Sequence, residues 1–368
     1  MMSNNTENSP LPPSSVIGIL GGGQLGRMLA IAAAEMGYKT HIYCPEENSP
    51  ASEVASFTTI GSYEDAELLS EFASKVDVIT YEFENIPFAP IEKISHGINV
   101  FPSPQILAIS QHRLLEKQTI NEMGIKTAPF TAVTSANELQ KSIDKIGLPA
   151  VLKTCRMGYD GKGQIMLKNF DDIKSGMDFC ATNSKDGVCD LILEGFVNFK
   201  MEISVIVASD GNDDIKSYCP VQNIHKNHIL SETIAPAPIS PELIEKAESI
   251  AHKIAKELKL TGLLAIEMFV SKNDDIIINE LAPRPHNSGH WTIDACVTSQ
   301  FEQTIRAICG LPLSNPSRLC DATMLNLIGD DINNWHEYTK QVNAKLHLYG
   351  KKDVKSGRKM GHVTFLKI

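Results

Sequence analysis

The chain has 368 residues, 42% of them hydrophobic and 21% charged, so it can bury the cores of two or three globular domains. Its formal net charge of -10 argues against general binding to nucleic acid or to an anionic membrane surface, so phosphate chemistry would need local clusters of basic residues. The sequence has no CxxC pair, no apolar run long enough to cross a bilayer and no signal-peptide pattern, which predicts a cytoplasmic enzyme. Residues 1–15 are predicted to form a disordered tail.

The first predicted domain, residues 16–110, opens with a strand, a glycine-rich loop and a helix. Residues 16–20 are apolar, and Gly21, Gly23 and Gly26 follow them in a GxGxxG spacing. Apolar residues at helical spacing continue to Met36, and residues 40–43 are predicted to form the next strand of a parallel sheet. Such a loop can hold a phosphate at the helix N-terminus, as in an NAD-dependent dehydrogenase, or simply pack the strand against the helix. The loop by itself leaves these alternatives open.

Two carboxylates and an amide follow the next predicted strand, residues 76–80. They are Glu82, Glu84 and Asn85. Because ligands of open α/β sheets bind beyond the carboxyl ends of the strands, these side chains are predicted to hold sugar hydroxyls or an amine. A solvated turn is the alternative.

The second predicted domain, residues 111–310, begins with a helix at 111–123 and carries a lysine at the end of an apolar strand. Lys153 follows Ala150, Val151 and Leu152, and a buried lysine is costly unless it meets an anion. A flexible loop comes next, and its amides and lysine could close over phosphates, although a mobile hairpin is the alternative. The loop residues are Gly158, Tyr159, Asp160, Gly161, Lys162, Gly163 and Gln164.

A second candidate nucleotide contact lies at residues 191–197. Glu194 and its neighbouring backbone could bind the edge of an adenine in an apolar slot, and Glu202 could bind a ribose. Many strands end in Glu-Gly, so this segment is weak on its own.

Two glutamates are predicted to face each other across a hairpin. Residues 262–270 and 275–280 are predicted strands, and a turn centred on Asn273 and Asp274 would pair Glu267 with Glu280. Like charges that face each other destabilise a β-ladder, and a bridging divalent cation would remove the conflict. Oxygen ligands with few protein contacts favour magnesium, with ATP phosphates completing its coordination. Two glutamates on a solvated face are the alternative.

A stiff segment with three donor side chains directly follows Glu280. Pro283 and Pro285 restrict the backbone on either side of Arg284, and His286 and Asn287 come next. A fixed cluster of donors is what a small anion such as bicarbonate requires.

These features, in this order, resemble the ATP-grasp superfamily and, within it, the 5-(carboxyamino)imidazole ribonucleotide synthetases. The resemblance rests on residues 22–28, 81–85, 158–164 and 284–290, and it extends from about residue 16 to the C-terminus. It implies an α/β and α+β architecture of three domains. These are a Rossmann-like preATP-grasp domain at 16–110, an ATP-grasp domain at 111–310 with a mobile lid at about 125–200, and a small C-terminal β domain at 311–368.

The resemblance also implies ATP and Mg²⁺ as cofactors, aminoimidazole ribonucleotide and bicarbonate as substrates, and a homodimer. Arg113 and Lys153 would hold ATP, with Lys162 over the phosphates, while Glu267 and Glu280 would bind magnesium. Arg284, His286 and Asn287 would act in catalysis, and Asp160 would orient the amine of the substrate. The remaining implied nucleotide contacts are Glu194, Gly195, Phe196, Val197, Glu202, His225 and Asn279, beside the glycine loop at 158–164.

The implied ribonucleotide site combines the first domain with a basic segment near the C-terminus. Residues 350–362 contain Lys351, Lys355 and Arg358, which would receive the 5-phosphate. Position 355 departs from the family pattern, in which arginine is common, and lysine keeps the charge but loses the bidentate geometry. The other implied contacts are Gln24, Leu25, Glu82, Glu84 and Asn85.

Three competing functions remain for the sequence. A formate-dependent enzyme acting on glycinamide ribonucleotide shares the ATP-grasp pattern, but the Gln24-Leu25 pair and residues 284–290 argue against it. A dehydrogenase would leave the facing glutamates and the second glycine loop without a role. A silent ATP-binding protein is disfavoured because every expected ATP and metal position is filled.

Overall fold

A computed structural model describes residues 9–158 and 161–368. The first domain contains a parallel sheet of four strands in the order β3-β2-β1-β4. Strand β1 pairs with β2 and β4 inside this sheet and is buried along most of its length. Its residues are apolar because helices cover both faces of the sheet. The elements are β1 (Val16–Leu20), α1 (Gln24–Glu35), β2 (Lys39–Cys44), β3 (Phe57–Ile60), α2 (Ala66–Ala73), β4 (Val78–Tyr81), α3 (Phe88–Ser95) and α4 (Pro104–Ser110).

The segment just before β1 differs from the predicted disordered tail. The amide of Leu11 donates to the carbonyl of Cys309 at 2.9 Å, and the carbonyl of Leu11 accepts from the hydroxyl of Tyr38 at 2.8 Å. Leu11 also packs on the core that α1 forms with its neighbours. Residues 9–15 therefore contact the folded domain, because one apolar side chain and its backbone groups find partners there. Residues 1–8 of the predicted tail lie outside the described residues.

A separate antiparallel sheet, in the order β5-β10-β6-β7, covers part of the range that the resemblance assigned to a lid. Helices α6 and α7 pack together and share with this sheet a core that includes Leu139, Leu152 and Leu193. The elements from the domain boundary onwards are α5 (Arg113–Glu122), β5 (Phe130–Val133), α6 (Ala136–Ile146), β6 (Ala150–Thr154), β7 (Gln164–Leu167), α7 (Ile173–Thr182), β8 (Ser184–Lys185), β9 (Val188–Cys189) and β10 (Leu191–Gly195).

The central sheet is antiparallel and continues into the C-terminal segment, with strand order β16-β15-β11-β13-β14-β17-β19-β18. Strand β17 bonds to β14, so the predicted C-terminal domain extends the central sheet. Helix α8 begins after the Ser240 cap and lays its apolar face on this sheet. The elements are β11 (Phe199–Asp210), β12 (Ile215–Ser217), β13 (Val221–Lys226), β14 (Ile229–Ala235), α8 (Pro241–Glu257), β15 (Thr261–Ser271), β16 (Ile276–Ala282), α9 (Thr292–Ala295), α10 (Gln300–Ile308), β17 (Asp321–Ile328), α11 (Trp335–Tyr338), β18 (Ala344–Leu348) and β19 (Lys359–Lys367).

The hairpin of β15 and β16 pairs Glu267 with Glu280, as the sequence predicted. The pairing nearer the turn differs, since Val270 lies opposite Ile276 and Met268 opposite Ile278. A register shift between Glu267 and Met268 adds one residue on β16 and restores the predicted alignment at the glutamates. The combined parallel and antiparallel sheets confirm the predicted α/β and α+β fold class.

No helix in the described residues combines the length and the apolar character that crossing a membrane requires.

Candidate active site

A cavity of about 650 Å³ lies where the β5-β10-β6-β7 sheet, the β15–β16 hairpin and the end of the first domain meet. Most of the predicted site residues line it, although they come from parts of the chain far apart in sequence. Those predicted residues are Glu84, Asn85, Arg113, Lys153, Gly158, Gly161, Lys162, Gln164, Glu194, Gly195, Phe196, Val197, Glu202, His225, Glu267, Asn279, Glu280, Arg284, His286 and Asn287.

The remaining predicted residues fall into two groups. Tyr159 and Asp160 lie outside the described residues. The others are described but are not part of the cavity lining, and most belong to the implied ribonucleotide site. They are Gly163, Gln24, Leu25, Glu82, Lys351, Lys355 and Arg358.

The two facing glutamates each contact a donor side chain. Nε2 of His286 lies 3.1 Å from Oε1 of Glu267, and Nη1 of Arg113 donates to Oε2 of Glu280 at 3.1 Å. Burial alone would raise the pKa of Glu267, but the hydrogen bond and charge of His286 outweigh it and hold the pKa below its usual range. Both carboxylates are therefore placed to act as metal ligands. Arg113 and His286 also reduce the repulsion between the two glutamates, a role that the sequence predicted for a bridging cation alone.

Arg113 also ties the hairpin to the glycine loop. Its Nη2 donates to the carbonyl of Gly158 at 3.0 Å while its Nη1 holds Glu280. The backbone amide of Arg113 donates to the carbonyl of Cys155 at 2.9 Å, at the end of β6. The Arg113 side chain, at the start of α5, therefore holds the glycine loop at Gly158 close to Glu280, the predicted magnesium ligand.

A buried group of charges forms the wall at Glu194. Nζ of Lys153 donates to Oε2 of Glu194 at 2.8 Å, and Nζ of Lys117 lies 3.5 Å from the same oxygen. Burial alone would raise the pKa of Glu194, but the two lysines lower it to about 2. The second oxygen, Oε1, is buried and has no hydrogen-bond partner among the described residues. It can accept a hydrogen from a ligand in the cavity.

Lys117 and its neighbour Glu116 were not predicted from the sequence. Both side chains are about 1% exposed. Lys117 donates to the carbonyl of Asn279 at 3.2 Å, and Glu116 accepts from the amide of Leu281 at 2.7 Å. The pair thus holds the end of β16, which carries Glu280. A charged residue within a helix gives no sequence signal of burial, so only the packing of α5 on β16 reveals this role.

We expect Glu116 to make the stability of the protein depend on pH. Burial, with the charge of Glu280 adding to it, raises the pKa of Glu116 from 4.5 to about 8. The folded state therefore binds this proton more tightly than the unfolded chain does. The stabilisation is fully present below the unfolded pKa of 4.5 and is lost as the pH rises through about 8.

Urea denaturation of the wild type and of Glu116→Gln, between about pH 4.5 and pH 9 and without nucleotide or metal, measures this effect. The free energy of unfolding of the variant minus that of the wild type should grow with pH and level off above about pH 8. A difference that stays constant over this range would show that Glu116 is ionised throughout.

His225 and Glu202 contact each other at the same wall. Nδ1 of His225 lies 2.5 Å from Oε2 of Glu202, across strands β13 and β11. Burial lowers the pKa of His225, but Glu202 raises it by more, so the net shift is upward. The resemblance implied that both residues contact the nucleotide, with Glu202 at the ribose. The structure places them in contact with each other, and both residues line the cavity.

The segment after β4 is held against the second domain by Arg284. Nε of Arg284 donates to Oε2 of Glu84, and the two side chains are 15% and 27% exposed. Nε2 of Gln111 donates to the carbonyls of Glu84 and Ile86, both at 2.6 Å. Burial would raise the pKa of Glu84, but Arg284 lowers it overall. The pair fixes Arg284 at the edge of the cavity.

Asn287 supplies a buried amide beside these groups. The residue is 7% exposed, and both Nδ2 and Oδ1 lack a hydrogen-bond partner among the described residues. An unpaired buried amide is costly, and a small polar ligand would satisfy it. Asn287, Arg284 and His286 all line the cavity, as the donor cluster predicted from the sequence requires.

Gln300, which was not predicted, fixes the backbone of this donor segment. Its Oε1 accepts from the amide of His286 at 2.9 Å, and its Nε2 donates to the carbonyl of His286 at 2.8 Å. The side chain is fully buried at the start of α10. Because both bonds go to backbone atoms, the sequence of residues 284–290 could not indicate their partner.

The first glycine loop holds a carboxylate of the protein itself. Oε1 of Glu82 accepts from the amide of Gly23 at 2.7 Å, and Oε2 accepts from the amide of Gly26 at 3.2 Å. A Cβ atom at Gly23 would lie 2.4 Å from Oε1 of Glu82, so the close approach requires glycine there. Burial raises the pKa of Glu82 even though the two amides oppose the shift. The Glu82 carboxylate thus occupies the N-terminus of α1, where a dehydrogenase would bind the phosphate of its dinucleotide.

The basic segment near the C-terminus lies close to this loop. Nζ of Lys351 donates to the carbonyl of Lys359 at 2.7 Å, and burial together with the charge of Arg358 lowers the pKa of Lys351 to about 8. The charge of Glu82 acts on the pKa of Lys351 in the opposite direction. A Cβ atom at Gly350 would lie 3.3 Å from Nη1 of Arg27, in the helix that follows the loop. Arg358 donates to the carbonyl of Asp353 at 3.0 Å, while Lys355 is exposed.

Family models match all three parts of the chain. The ribonucleotide synthetase preATP-grasp domain matches residues 15–111, and the ATP-grasp domain matches residues 118–301. The phosphoribosylaminoimidazole carboxylase C-terminal domain matches residues 322–367.

Curated relatives share this similarity over nearly the whole chain. The chain is 45% identical over 356 residues to the N5-carboxyaminoimidazole ribonucleotide synthase of Bacillus subtilis, with 96% of this chain and 92% of the relative covered. It is 48% identical over 377 residues to the bifunctional purine synthesis protein purC/E of Dictyostelium discoideum. That match covers 96% of this chain but 37% of the longer relative.

Solved structures are similar to the same extent. An N5-carboxyaminoimidazole ribonucleotide synthetase in complex with ADP is 42% identical with a TM-score of 0.93, covering 98% of this chain and 94% of that chain. An Aspergillus clavatus N5-carboxyaminoimidazole synthase in complex with ADP and 5-aminoimidazole ribonucleotide is 32% identical with a TM-score of 0.88, covering 96% and 94%. These matches confirm the family that the sequence motifs indicated. The chain belongs to the N5-carboxyaminoimidazole ribonucleotide synthase family of ATP-grasp enzymes.

Proposed function

We propose that this chain carboxylates 5-aminoimidazole ribonucleotide to 5-(carboxyamino)imidazole ribonucleotide, using ATP and bicarbonate and releasing ADP and phosphate. The observation that carries the proposal is the shared cavity. The facing glutamates, the lysines of the lid and the donors Arg284, His286 and Asn287 all line it. Phosphoryl transfer to a small anion requires these three kinds of group side by side.

The nucleotide would occupy the lid side of the cavity. Glu194, with a buried oxygen that has no partner among the described residues, would accept from the adenine, and Val197 would add a backbone contact. Lys153 and Lys162 both line the cavity and would lie along the phosphates. Glu202 and His225 would contact the ribose and the phosphate chain. The complex of the relative with ADP supports an adenine nucleotide as the ligand.

The residues at the hairpin fit a magnesium ion. Glu267 and Glu280 face each other, and oxygen ligands of this kind suit magnesium. Magnesium bound there would neutralise charge on the phosphates as the γ-phosphate is transferred. Arg113 and His286, each bonded to one of the two glutamates, would keep the carboxylates oriented for that role.

The chain's own donors would then activate bicarbonate. Arg284, His286 and Asn287 would hold the bicarbonate oxygens so that one of them attacks the γ-phosphate, giving ADP and carboxyphosphate. Closure of the lid would exclude water while carboxyphosphate breaks into carbon dioxide and phosphate. The exocyclic amine of the ribonucleotide would attack the carbon dioxide and lose a proton to the released phosphate or to a nearby side chain. Asp160, which lies outside the described residues, would orient that amine.

The ribonucleotide would enter between the first domain and the C-terminal basic segment. The 5-phosphate would lie near Lys351 and Arg358, with Gln24 and Leu25 at the start of α1 supplying further contacts. The mutual effect of Lys351 and Glu82 on each other's pKa supports this arrangement. The complex of the Aspergillus relative with the ribonucleotide supports the substrate itself.

Ribonucleotide binding should weaken at high pH. A phosphate next to Lys351 favours the charged ammonium, whose pKa is about 8 in the free protein. The KM for the ribonucleotide is therefore expected to rise as the pH increases above about 8. Lys351→Met should raise this KM roughly 10- to 100-fold and remove most of its pH dependence, with the KM for ATP unchanged. Lys352→Met, at the exposed neighbouring lysine, is the matched control. Equal effects of the two variants would contradict a specific phosphate contact.

We further propose a homodimer in the cytoplasm, and domain boundaries near residues 110 and 310 with a lid at about 125–200. The separate parallel sheet of the first domain supports the boundary near residue 110, and the ranges that the family models match support both boundaries. Sedimentation equilibrium of the purified chain tests the dimer.

The experiment that tests the function measures ADP release with magnesium and ATP while bicarbonate, aminoimidazole ribonucleotide, formate and glycinamide ribonucleotide are added singly and in pairs. Release that needs the aminoimidazole ribonucleotide with bicarbonate, together with an acid-labile carboxylated product, supports the proposal. Release that instead needs formate and glycinamide ribonucleotide would assign the chain to the other ATP-grasp reaction.

A further inference from the structure

A cluster of three potential metal ligands lies outside the groups that the proposed reaction uses. His112, Cys155 and Asp190 each offer one ligand atom, and these three atoms lie within 4.8 Å of one another. Ligand atoms that share a zinc ion, at about 2.0–2.3 Å from the metal, lie roughly 3–4 Å apart. Small movements of the side chains would therefore bring the three atoms into the coordination shell of one ion.

Three segments of the chain meet at this cluster and are already joined there by their backbones. His112 directly precedes α5, Cys155 directly follows β6, and Asp190 directly precedes β10. The amide of Cys155 donates to the carbonyl of Asp190 at 3.0 Å, and the amide of Arg113 donates to the carbonyl of Cys155 at 2.9 Å. The fold thus fixes the spacing of the three side chains without a metal.

The side chains form a site that is buried at one end and open at the other. Cys155 is 1% exposed, whereas the side chain of Asp190 is 59% exposed. Nε2 of His112 lies 3.3 Å from Oδ1 of Asp190. Burial, with the carboxylate of Asp190 adding to it, raises the pKa of the Cys155 thiol to about 12. A cation between these groups would replace the thiol proton and remove the conflict between thiolate and carboxylate.

The ligand types select the kind of ion. Thiolate, imidazole and carboxylate together are a donor set for zinc, and three protein ligands leave a fourth position for water. Magnesium prefers oxygen ligands only, so it would not compete well for this cluster. The two facing glutamates have the opposite preference, since they offer oxygen atoms alone.

Metal binding would change one existing hydrogen bond. Nδ1 of His112 accepts from the amide of Leu115 at 3.4 Å, at the N-cap of α5. A metal on Nε2 would move the ring hydrogen to Nδ1, so this contact would be given up. A single long hydrogen bond contributes little compared with the coordination of a metal by three side chains.

We propose that His112, Cys155 and Asp190 bind a thiophilic divalent cation such as zinc, at a site separate from the proposed magnesium site. Bonds form from the metal to Sγ, Nε2 and a carboxylate oxygen, and the thiol proton passes to solvent. The ion ties the ends of β6 and β10, within the β5-β10-β6-β7 sheet, to the start of α5 outside that sheet.

Cobalt(II) is the probe that tests this site directly. A thiolate bound to cobalt gives an intense charge-transfer band in the near ultraviolet, which carboxylate and imidazole ligands do not give. The whole chain, stripped of metals and kept in excess magnesium and ATP, should bind cobalt with this band, and zinc should abolish it. The band should be absent from Cys155→Ser and present in Cys320→Ser, which removes a half-buried cysteine elsewhere. No band in the wild type, or a band that survives in Cys155→Ser, would overturn the proposal.

Two further variants guard against a folding defect in Cys155→Ser. Asp190→Asn changes an exposed side chain, and His112→Ser keeps a residue that can cap α5. Each should weaken cobalt binding at least about tenfold while its circular dichroism matches that of the wild type. Zinc should also raise the thermal unfolding temperature of the wild type more than that of His112→Ser. Equal cobalt affinities, or equal effects of zinc on unfolding, would reject these residues as ligands.

Discussion

Replacing Glu280 with glutamine is expected to lower the rate of ADP release about a thousandfold. Glu280 faces Glu267 across the hairpin and accepts from Arg113 at 3.1 Å, so it is placed to hold both a magnesium ion and the arginine. Glutamine keeps the shape but removes the charge that balances a divalent cation near the phosphates. The requirement for magnesium should also shift to higher concentrations in the variant.

The matched control for this prediction is Glu257→Gln, which removes an exposed carboxylate at the end of α8. Steady-state ADP release, measured over a range of magnesium concentrations, compares the two variants with the wild type. The control should match the wild type. If Glu280→Gln retained more than about a tenth of the wild-type rate, the facing glutamates would not form the essential metal site.

Replacing Arg284 with methionine is expected to lower carboxylation roughly 100- to 1000-fold while changing the KM for ATP little. Arg284 lines the cavity together with Asn287 and His286. A loss confined to kcat and to the bicarbonate dependence would follow from removing a donor to the bicarbonate oxygens. The substitution also leaves the half-buried Glu84 without its partner, which lowers stability separately.

A double substitution separates these two effects. Arg284→Met with Glu84→Gln removes the unpaired charge, so thermal unfolding should return toward that of the wild type. Carboxylation should stay low, because the donor to bicarbonate is still missing. If the double variant recovered activity together with stability, Arg284 would act only by holding the two domains together.

The pairing of Glu267 with Glu280 shows what counting residues along a sequence can and cannot provide. Stepping back from the turn predicted this pair, and the structure has it. The same count is wrong by one residue at Val270 and Met268, because the chain closes the turn with the amide of Ser271 donating to the carbonyl of Asp275. The irregularity next to Glu267 then compensates for that offset. A bulge depends on how both strands pack, so local sequence rules do not contain it.

The first glycine loop shows the limit set by long-range contacts. The spacing of Gly21, Gly23 and Gly26 fits a phosphate site, and no feature of the sequence excludes one. In the structure a carboxylate 59 residues further along the chain, that of Glu82, caps the loop. The sheet order that brings the end of β4 beside β1 decides this, and a pattern of glycines alone cannot reveal it.

The cavity lining was largely predictable, whereas the residues behind it were not. Motif residues such as Lys153, Glu194 and Arg284 stand out because their charges interrupt apolar or proline-rich runs. Lys117 and Gln300 lie in helices among other polar residues, where nothing distinguishes a buried polar side chain from a solvated one. Their partners are carboxylates and backbone atoms brought near only by folding.

The most direct test of the proposed reaction follows oxygen from bicarbonate. Bicarbonate labelled with ¹⁸O, incubated with the enzyme, magnesium, ATP and aminoimidazole ribonucleotide in a brief reaction, should yield inorganic phosphate that carries one ¹⁸O atom from each bicarbonate consumed. The bridging oxygen of carboxyphosphate stays with phosphorus when carbon dioxide leaves, so the label reports attack of bicarbonate on the γ-phosphate. Unlabelled phosphate, formed at the same rate as the carboxylated product, would contradict activation of bicarbonate by ATP in this cavity.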